Sequence, residues 1–327
     1  MGLADWDSRI GRRLKLRDLH ILSAVVQRGS MAKAAAHLAM TQPAVSESIA
    51  NLENTLRVRL LDRSSQGVTP TVYAEALLRR GNIVFDELRQ GLEEIEFLTN
   101  PTSGEVRVAA GDTIAASLLP AAIARLSARY PDIVVRVIQA SAERMDFREL
   151  REREVDLAFA RVPPSFEAED LRCEVLFEDP HRVVVGARSP WVGRRLSLAD
   201  LADEPWLYAS NEVIRQLIAE AFKARGLRVP RERVVGSSIL MRNHLLATGR
   251  FVTVLPDSVI RYNGKQWGLK ALPVDLGVAP RSVAIITLKS RTVAPVTGLF
   301  IQETRQAAQN ISSGPRGRAK RLLAMPR

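Results

Sequence analysis

The chain has 327 residues, enough for about two domains, and its hydrophobic fraction of 46% and charged fraction of 25% are typical of globular proteins. No apolar run reaches the roughly 18 residues that span a bilayer, and charges interrupt the N-terminal segment where a secretory signal has its apolar core. The single cysteine, Cys173, excludes an internal disulfide framework and fits a reducing compartment, so we expect a cytoplasmic protein.

The net charge of +11 and the pI near 10.4 favour a polyanionic partner or an anionic membrane surface. Up to Arg80, Lys and Arg number 12 and Asp and Glu number 7. Residues 313–327 carry basic side chains and no acidic one, and their weak patterning predicts a basic disordered tail. This tail either adds non-specific contacts to DNA or is simply solvated.

Three short helices are predicted near the N-terminus. Apolar residues recur at a helical spacing over 16–27, Ser30 is placed to cap a second helix over 31–40, and Thr41 is placed to cap a third over 42–56. Two helices joined by such a short turn make a helix-turn-helix. The third helix has an apolar face formed by Val45, Ile49 and Leu52. Its opposite face carries Gln42, Ser46 and Glu47, which are free to meet a groove of nucleic acid.

A β-wing and a long helix follow. Gly67 and Pro70 are turn signals between two short extended pieces, as a β-wing requires. Residues 72–98 then form one helix with an apolar stripe of Val84, Leu88, Leu92 and Ile95. A long isolated helix with one such stripe favours a helix–helix contact between two copies of the chain over packing on its own domain. Residues 100–104 are predicted to form a hinge.

From Glu105 the pattern alternates between strands and helices, which implies an α/β domain with parallel strands and right-handed crossovers. Strands are predicted over 105–110, 133–138, 155–161, 181–187, 205–209, 233–237, 251–256 and 282–288. Helices are predicted over 118–130, 147–153, 212–225 and 240–248.

Motifs for catalysis are missing from the sequence. The four histidines are scattered, and the chain has no HExxH, no Cys/His cluster, no GxSxG and no glycine-rich phosphate loop. We therefore expect no catalytic residue, no metal site and no cofactor. An aromatic content of 5% and the lack of an RNA-binding signature also argue against RNA. A solute-binding protein remains the alternative, although the extra N-terminal domain and the lack of a signal peptide disfavour it.

The segment KAAAHLAMTQPAVSESIANLENTLRVRLLDRSSQGVTPT resembles a LysR-type transcriptional regulator. The resemblance lies in the order of helix-turn-helix, Leu-Glu, Leu-Leu-x-Arg, Gly-bearing wing and long helix. It continues through Leu118-Leu119-Pro120, Tyr130-Pro131, Val155-Asp156-Leu157-Ala158 and Val254-Leu255-Pro256. Phe251 after Gly249-Arg250 is similar to the branch that regulates a periplasmic galactose-binding protein.

The resemblance implies an α/β protein overall: a winged helix-turn-helix over 1–72, a linker helix over 73–99 and a periplasmic-binding-protein-like effector domain over 100–312. Lobe 1 would comprise about 104–180 and 289–312 and lobe 2 about 188–281, with crossover strands near His181–Ala187 and Ser282–Leu288. It also implies a sequence-specific regulator of transcription, controlled by a small-molecule effector such as a sugar or a small organic acid. The implied partners are double-stranded DNA, a second copy in a homodimer or homotetramer, and RNA polymerase, with no membrane partner.

The predicted DNA-binding residues are Lys33, Thr41, Gln42, Pro43, Ala44, Ser46, Glu47 and Arg63. Gln42 can donate and accept at an adenine edge, and Ser46 is short enough to reach a base or a phosphate. Lys33 stands where the family carries a basic residue that faces a phosphate. Thr41 also caps its helix, which we take as its main role. Glu47 departs from the basic or neutral residue of many relatives, and it either accepts from cytosine N4 or faces solvent.

The predicted effector-binding residues follow strands and precede helices, where hydroxyls and free N–H groups converge on a cleft. They are Thr113, Ser141, Arg161, Ser210, Ser237, Ser238 and Phe251. Each serine can equally be an N-cap, and Phe251 can stack on a ligand ring or pack in the core. Arg161 can bind the effector or pair with a neighbouring acid such as Glu143.

Overall fold

The structure is a computed structural model that describes residues 13–64, 67–139, 145–236 and 238–312. The chain divides into two compact units, Met1–Gly91 and Leu92–Arg327. The predicted basic tail, 313–327, lies outside the described residues. Within the described ranges, no helix is both long enough and apolar enough to cross a membrane.

The first unit is a winged helix-turn-helix. Its elements are α1 Leu16–Arg28, α2 Met31–His37, α3 Gln42–Leu56, β1 Leu61–Ser64, β2 Gly67–Pro70 and the start of α4 Val72–Thr99. Helix α1 ends where Gly29 takes a left-handed conformation with φ of 64°. Helix α2 is three residues shorter than predicted, because the chain turns through Ala39 at a φ of 52°. Strands β1 and β2 pair antiparallel as the predicted wing.

One apolar core holds this unit together. Val45, Ile49 and Leu52 are buried on one side of α3, as their spacing predicts. They pack in a cluster with side chains of α1 and α2, including Leu22 and Ala34, both of which are fully buried. Burial of this apolar face fixes which side of α3 remains in solvent.

Helix α4 keeps its apolar stripe in solvent. Exposed fractions along the stripe rise from 42% at Val84 to 67% at Leu92, and Leu98 is 76% exposed. Asp86 was expected on the polar side of the helix but is buried, where Gln90 Nε2 donates to its Oδ2 at 3.0 Å and Arg89 forms an ion pair with it. The helix therefore has a buried carboxylate on one side and an uncovered apolar stripe on another.

The second unit contains two five-stranded sheets. The first has the order β4-β3-β5-β12-β6, where β3 is Ser103–Ala110, β4 Asp132–Gln139, β5 Leu157–Val162, β6 Leu171–Asp179 and β12 Arg281–Leu288. Strand β3 runs parallel to β4 and β5, whereas β12 runs antiparallel to β5 and β6. The helices of this part are α5 Asp112–Ala115, α6 Leu118–Arg129, α7 Arg148–Arg151 and α11 Pro295–Ser312.

The second sheet has the order β11-β7-β10-β8-β9. Its strands are β7 His181–Gly186, β8 Trp206–Tyr208, β9 Glu232–Val235, β10 Val252–Pro256 and β11 Leu269–Ala271. Its helices are α8 Glu212–Lys223, α9 Ile239–Ala247 and α10 Asp257–Asn263. Strand β10 is parallel to β8 but antiparallel to β7.

The segments expected as crossover strands each pair within a single sheet. Strand β7 pairs with β10 and β11 in the second sheet, and β12 pairs with β5 and β6 in the first. The chain passes between the sheets at Pro180 and again over 272–280. Segment 281–288 therefore pairs with strands of the first sheet. The predicted parallel pairing is found for β3 with β4 and β5, whereas β7 and β12 run antiparallel to their neighbours.

Candidate functional site

The first candidate site is the exposed face of α3. Gln42 and Glu47 are exposed and Ser46 is half-buried, while the opposite face of the helix lies in the core. Pro43 occupies the first turn, where its missing N–H removes no hydrogen bond. Lys33 on α2 and Arg63 on β1 are exposed as well. The first turn of α3 thus presents donors and acceptors of a length that suits base edges in a major groove.

The two predicted helix caps differ in outcome. The Thr41 hydroxyl accepts a hydrogen bond from the Ala44 N–H at 3.4 Å, so it caps α3 as predicted. Ser30 occupies the N-cap position of α2, but its side chain makes no capping hydrogen bond. The predicted position of Ser30 at the start of α2 is therefore correct, but the predicted capping by its side chain is wrong.

Polar contacts fix α3 against its neighbours. Ser48 Oγ on α3 donates to Asp18 Oδ1 on α1 at 2.7 Å. Glu53 Oε1 accepts from the Leu60 N–H at 2.7 Å, immediately before strand β1 of the wing. These contacts hold the helix in a fixed orientation relative to α1 and the wing. Glu53 belongs to the Leu-Glu motif noted in the sequence, but neither its contact with Leu60 nor the role of Asp18 was predicted.

The wing packs closely on the end of α1. The Val68 N–H donates to the Gly29 carbonyl at 3.0 Å. Gly67 has a φ of 132°, and a Cβ on it would lie 2.7 Å from the Gly29 oxygen. Glycine at position 67 is thus required by both its conformation and this close approach.

The second candidate site is a cavity of about 360 Å³ in the second unit. Its lining comes from the segments around both sheets: Thr113 and Arg161 belong to the part built on the first sheet, and Ser210, Asn211 and Arg242 to the part built on the second. This volume lies within the range of cavities that hold small ligands. The remainder of the wall is largely apolar.

Arg161 lies at the centre of a hydrogen-bonded network at one side of the cavity. Its guanidinium contacts Asp179 Oδ2 at 2.8 Å and Ser258 Oγ at 3.1 Å, and its Nη1 donates to Thr113 Oγ1 at 2.5 Å. The Ser258 N–H donates to Asp179 Oδ1 at 2.8 Å. The acid that pairs with Arg161 is therefore Asp179; Glu143, the suggested partner, lies outside the described residues.

Several polar side chains of the lining were missed by sequence reasoning, among them Arg242, His181 and Arg281. Arg242 and His181 are buried, with exposed fractions of 4% and 8%, and Arg281 is half-buried. Burial, reinforced by the charge of Arg161, lowers the pKa of His181 to about 4. Burial also lowers the pKa of Arg242 and of Arg281. Arg242 is followed by two further polar residues, Asn243 and His244, so the sequence gives no signal that singles out the arginine as buried.

The remaining predicted effector residues are dispersed. Ser210 joins Thr113 and Arg161 in the cavity lining, but Asn211, not Ser210, caps α8, with its Oδ1 accepting from the Val213 N–H at 2.8 Å. Ser238 is exposed and caps α9, accepting from the Met241 N–H at 3.3 Å. Phe251 lies outside the cavity lining and packs against the cluster of Val184, Leu207 and Leu255. Ser141 and Ser237 lie outside the described residues.

Among the residues that the structure describes, no group of three or more His, Cys, Asp or Glu side chains is placed to hold a metal ion.

Two family models match the chain and together cover most of it. Residues 16–75 match the model described as the bacterial regulatory helix-turn-helix protein, lysR family, and residues 99–309 match the LysR substrate binding domain. The chain therefore belongs to the LysR family of DNA-binding transcription regulators, which have an effector-binding domain. This finding decides against a plain solute-binding protein.

Individual relatives agree with this assignment over nearly the full length. The chain is 26% identical over 317 residues to the HTH-type transcriptional regulator GbpR of Azospirillum brasilense, covering 96% of this chain and 90% of the relative. It is similar to a full-length OxyR variant from Pseudomonas aeruginosa, with a TM-score of 0.63, 24% identity and coverage of 90% and 95% of the two chains. It is also similar to full-length CbnR in complex with its target DNA, with a TM-score of 0.62, 21% identity and coverage of 90% and 100%. At these identities, the two structures establish the fold.

Proposed function

We propose that the exposed face of α3 contacts the bases of an operator through Gln42 and Ser46, while Lys33 and Arg63 contact phosphates. The observation that carries this proposal is the burial of Val45, Ile49 and Leu52, which leaves the polar side of α3 in solvent. Base contacts of this kind give sequence specificity, whereas phosphate contacts give affinity for any DNA. The protein works in the cytoplasm, where its DNA partner is found.

We further propose that residues 1–72 form the DNA-binding domain, 73–99 the linker and 100–312 the effector domain. The cavity between the two sheets of the second unit holds the small-molecule effector. Its mixed polar and apolar lining, drawn from both sheets, supports this role. In this proposed division β7 belongs to the second lobe and β12 to the first, an assignment that their strand pairing supports.

Operator titrations test the DNA contacts. Gln42→Ala should lose about 1–3 kcal/mol of binding free energy at the true operator and relax one base position. Lys33→Ala should weaken binding to all DNA sequences nearly equally. It should also reduce the slope of log K against the logarithm of the salt concentration by about one. The measurement is a gel shift or fluorescence titration with the gene's own upstream region at three salt concentrations. Normal binding by both variants would mean that α3 is not the recognition helix.

Oligomerisation through α4 is a separate proposal. Its uncovered apolar stripe, which includes Leu88 at 50% exposed, is suited to pair with the same stripe of a second copy. Leu88→Glu should shift the assembly towards monomer in sedimentation experiments, because it places a charge in an apolar contact. Glu96→Gln on the exposed part of the same helix is the control. An unchanged sedimentation coefficient for Leu88→Glu would exclude this contact.

A further inference from the structure

The cavity contains a buried cation whose hydrogen bonds are incomplete. Arg242 is 4% exposed, and its Nε has no hydrogen-bond partner among the described residues. Burial lowers the pKa of this guanidinium, and the charge of Asp112 opposes that effect. A buried charge is costly unless hydrogen-bonded partners compensate for it. Arg242 therefore has an unmet need for an acceptor, and it lines the cavity.

The neighbouring carboxylates of Asp179 and Asp112 are engaged by other groups. Asp179 is already bound by Arg161 and Ser258. Asp112 accepts from the Gln139 amide. His181, held neutral by burial, has a buried Nδ1 without a partner within the described part of the chain. The cavity thus has two buried polar atoms, on Arg242 and His181, that are free to contact a guest.

The charges around Arg242 limit how much negative charge a guest can carry. Arg281 is half-buried, and its Nη1 donates to the Arg161 carbonyl at 3.3 Å. Asp112 and Glu149 also line the cavity and repel a second negative charge. Arg161 is neutralised by Asp179 at 2.8 Å. These groups favour a guest with a single anionic group.

The rest of the cavity wall is suited to a guest with an apolar part. Side chains without hydrogen-bonding groups cover much of the surface: Ile114, Met145, Phe147, Phe159, Ile214 and Val254. A sugar exposes hydroxyl groups on most of its carbon atoms, and these would lose water against such a wall without gaining partners. A short hydrocarbon or a single ring bearing one acid group fits both the polar and the apolar parts.

We propose that the effector is a small organic monocarboxylate, whose carboxylate binds the Arg242 guanidinium while its apolar body lies against the hydrophobic wall. The inference rests on the proposed function of the cavity as the effector site. A guanidinium–carboxylate contact is charge-assisted and geometrically matched. Arg242 is then the residue that selects an acid over its neutral analogue.

The test compares acids with their neutral amides on the full-length protein. Benzoate and benzamide, phenylacetate and phenylacetamide, and hexanoate and hexanamide are titrated up to millimolar concentration by calorimetry and by thermal unfolding. At least one acid should bind and raise the melting temperature, and its amide should bind at least about tenfold more weakly, as the loss of a charged hydrogen bond implies. An amide that binds as tightly as its acid would overturn the proposal, as would a lack of binding by all three acids.

Variants then assign the effect to Arg242. Arg242→Met should lower the affinity for the acid by at least about tenfold and leave the affinity for the amide unchanged. Arg228→Met is the matched control, because Arg228 is an exposed arginine of the same lobe. If Arg242→Met does not fold, Arg242→Lys serves as the second variant. It keeps the charge, so it should retain part of the preference for acids over amides. Full binding of the acid by folded Arg242→Met would refute the role of this residue.

Failure of this inference can be separated from failure of the proposed function. D-Galactose serves as a neutral probe in the same titrations. If D-galactose binds and none of the acids does, the monocarboxylate proposal is overturned, but the proposal that the cavity binds a small-molecule effector is retained. Without any ligand, both the wild type and the control Arg228→Met should shift the operator in a gel. A wild type that fails to shift it would refute the DNA-binding proposal and leave the effector proposal to the titrations.

Discussion

The two units of the molecule place their polar side chains in opposite ways. In the described part of the first unit the core is apolar with the exception of Asp86, and the candidate DNA contacts Gln42 and Lys33 are exposed. In the second unit, charged groups such as Asp179 and Arg242 are buried. A surface that meets a long polyanion can leave its polar groups in water until the partner arrives. A cavity for a small molecule must instead hold desolvated groups in place beforehand. Substitutions of the exposed polar side chains in the first unit should therefore alter binding alone, and substitutions of the buried charged groups in the second unit should alter stability as well.

The largest expected effect is the removal of Asp179. Its carboxylate compensates for Arg161, so Asp179→Ala leaves a buried guanidinium unpaired and should cost about 3–5 kcal/mol of unfolding free energy. Urea unfolding of the full chain, followed by tryptophan fluorescence, measures this because every Trp except Trp6 lies in the second unit. Asp203→Ala is the control: its side chain is 84% exposed beside Arg228, so little change is expected. An equal loss of unfolding free energy in the two variants would show that the buried and the exposed ion pair contribute alike to stability.

A smaller effect is expected from the titration of His181. The pKa of histidine in an unfolded chain is about 6.5, and burial lowers it to about 4 in the folded protein. Between these pH values the unfolded chain binds more protons than the folded one. The free energy of unfolding should therefore fall as the pH drops from 6.5 towards 4, by up to about 3 kcal/mol from this residue. Urea unfolding across this range should give a flatter pH profile for His181→Gln than for the wild type. Identical profiles would show that His181 is not held neutral by burial.

The smallest effect concerns the wing. Gly67→Ala puts a methyl group close to the Gly29 oxygen and strains a backbone with φ of 132°, so we expect a loss of about 1–2 kcal/mol confined to the first unit. Gly193→Ala also changes a glycine with positive φ, but no atom lies within 4 Å of the added Cβ, which isolates the cost of the contact. Hydrogen exchange of the amides of residues 67–69 should accelerate in Gly67→Ala. Unchanged exchange there would mean that the wing does not depend on its contact with α1.

Sequence reasoning succeeds where a long periodic pattern is sufficient. Helices α3 and α4 are predicted to within a residue at each end, because their apolar faces repeat over several turns. Strand β6, helix α10 and helix α11 were not predicted. Strand β6 mixes charged and apolar residues without clean alternation, since its position at the edge of the sheet leaves part of it in solvent.

The cavity could be predicted only in part, because its residues come from distant parts of the chain. Thr113, Arg161 and Ser210 were found from one rule, that polar residues at strand ends face a cleft. The same rule selected Ser238, whose hydroxyl is used by its own helix. It could not find Arg242 in the middle of α9, since the direction in which a helix presents a side chain depends on packing that the sequence does not reveal. Asp179 was missed because it ends β6, a strand that was itself missed.

Pro180 alone separates the last residue of β6 in one sheet from the first residue of β7 in the other. Its ring fixes one backbone torsion, and its carbonyl accepts from the Asp257 N–H at 2.9 Å, so this connection has little freedom to bend by itself. A change in the angle between the two sheets would therefore fall mainly on the longer return segment, 272–280. His181 follows Pro180 directly and lines the cavity, so a guest in contact with His181 lies next to the stiff joint between the two sheets.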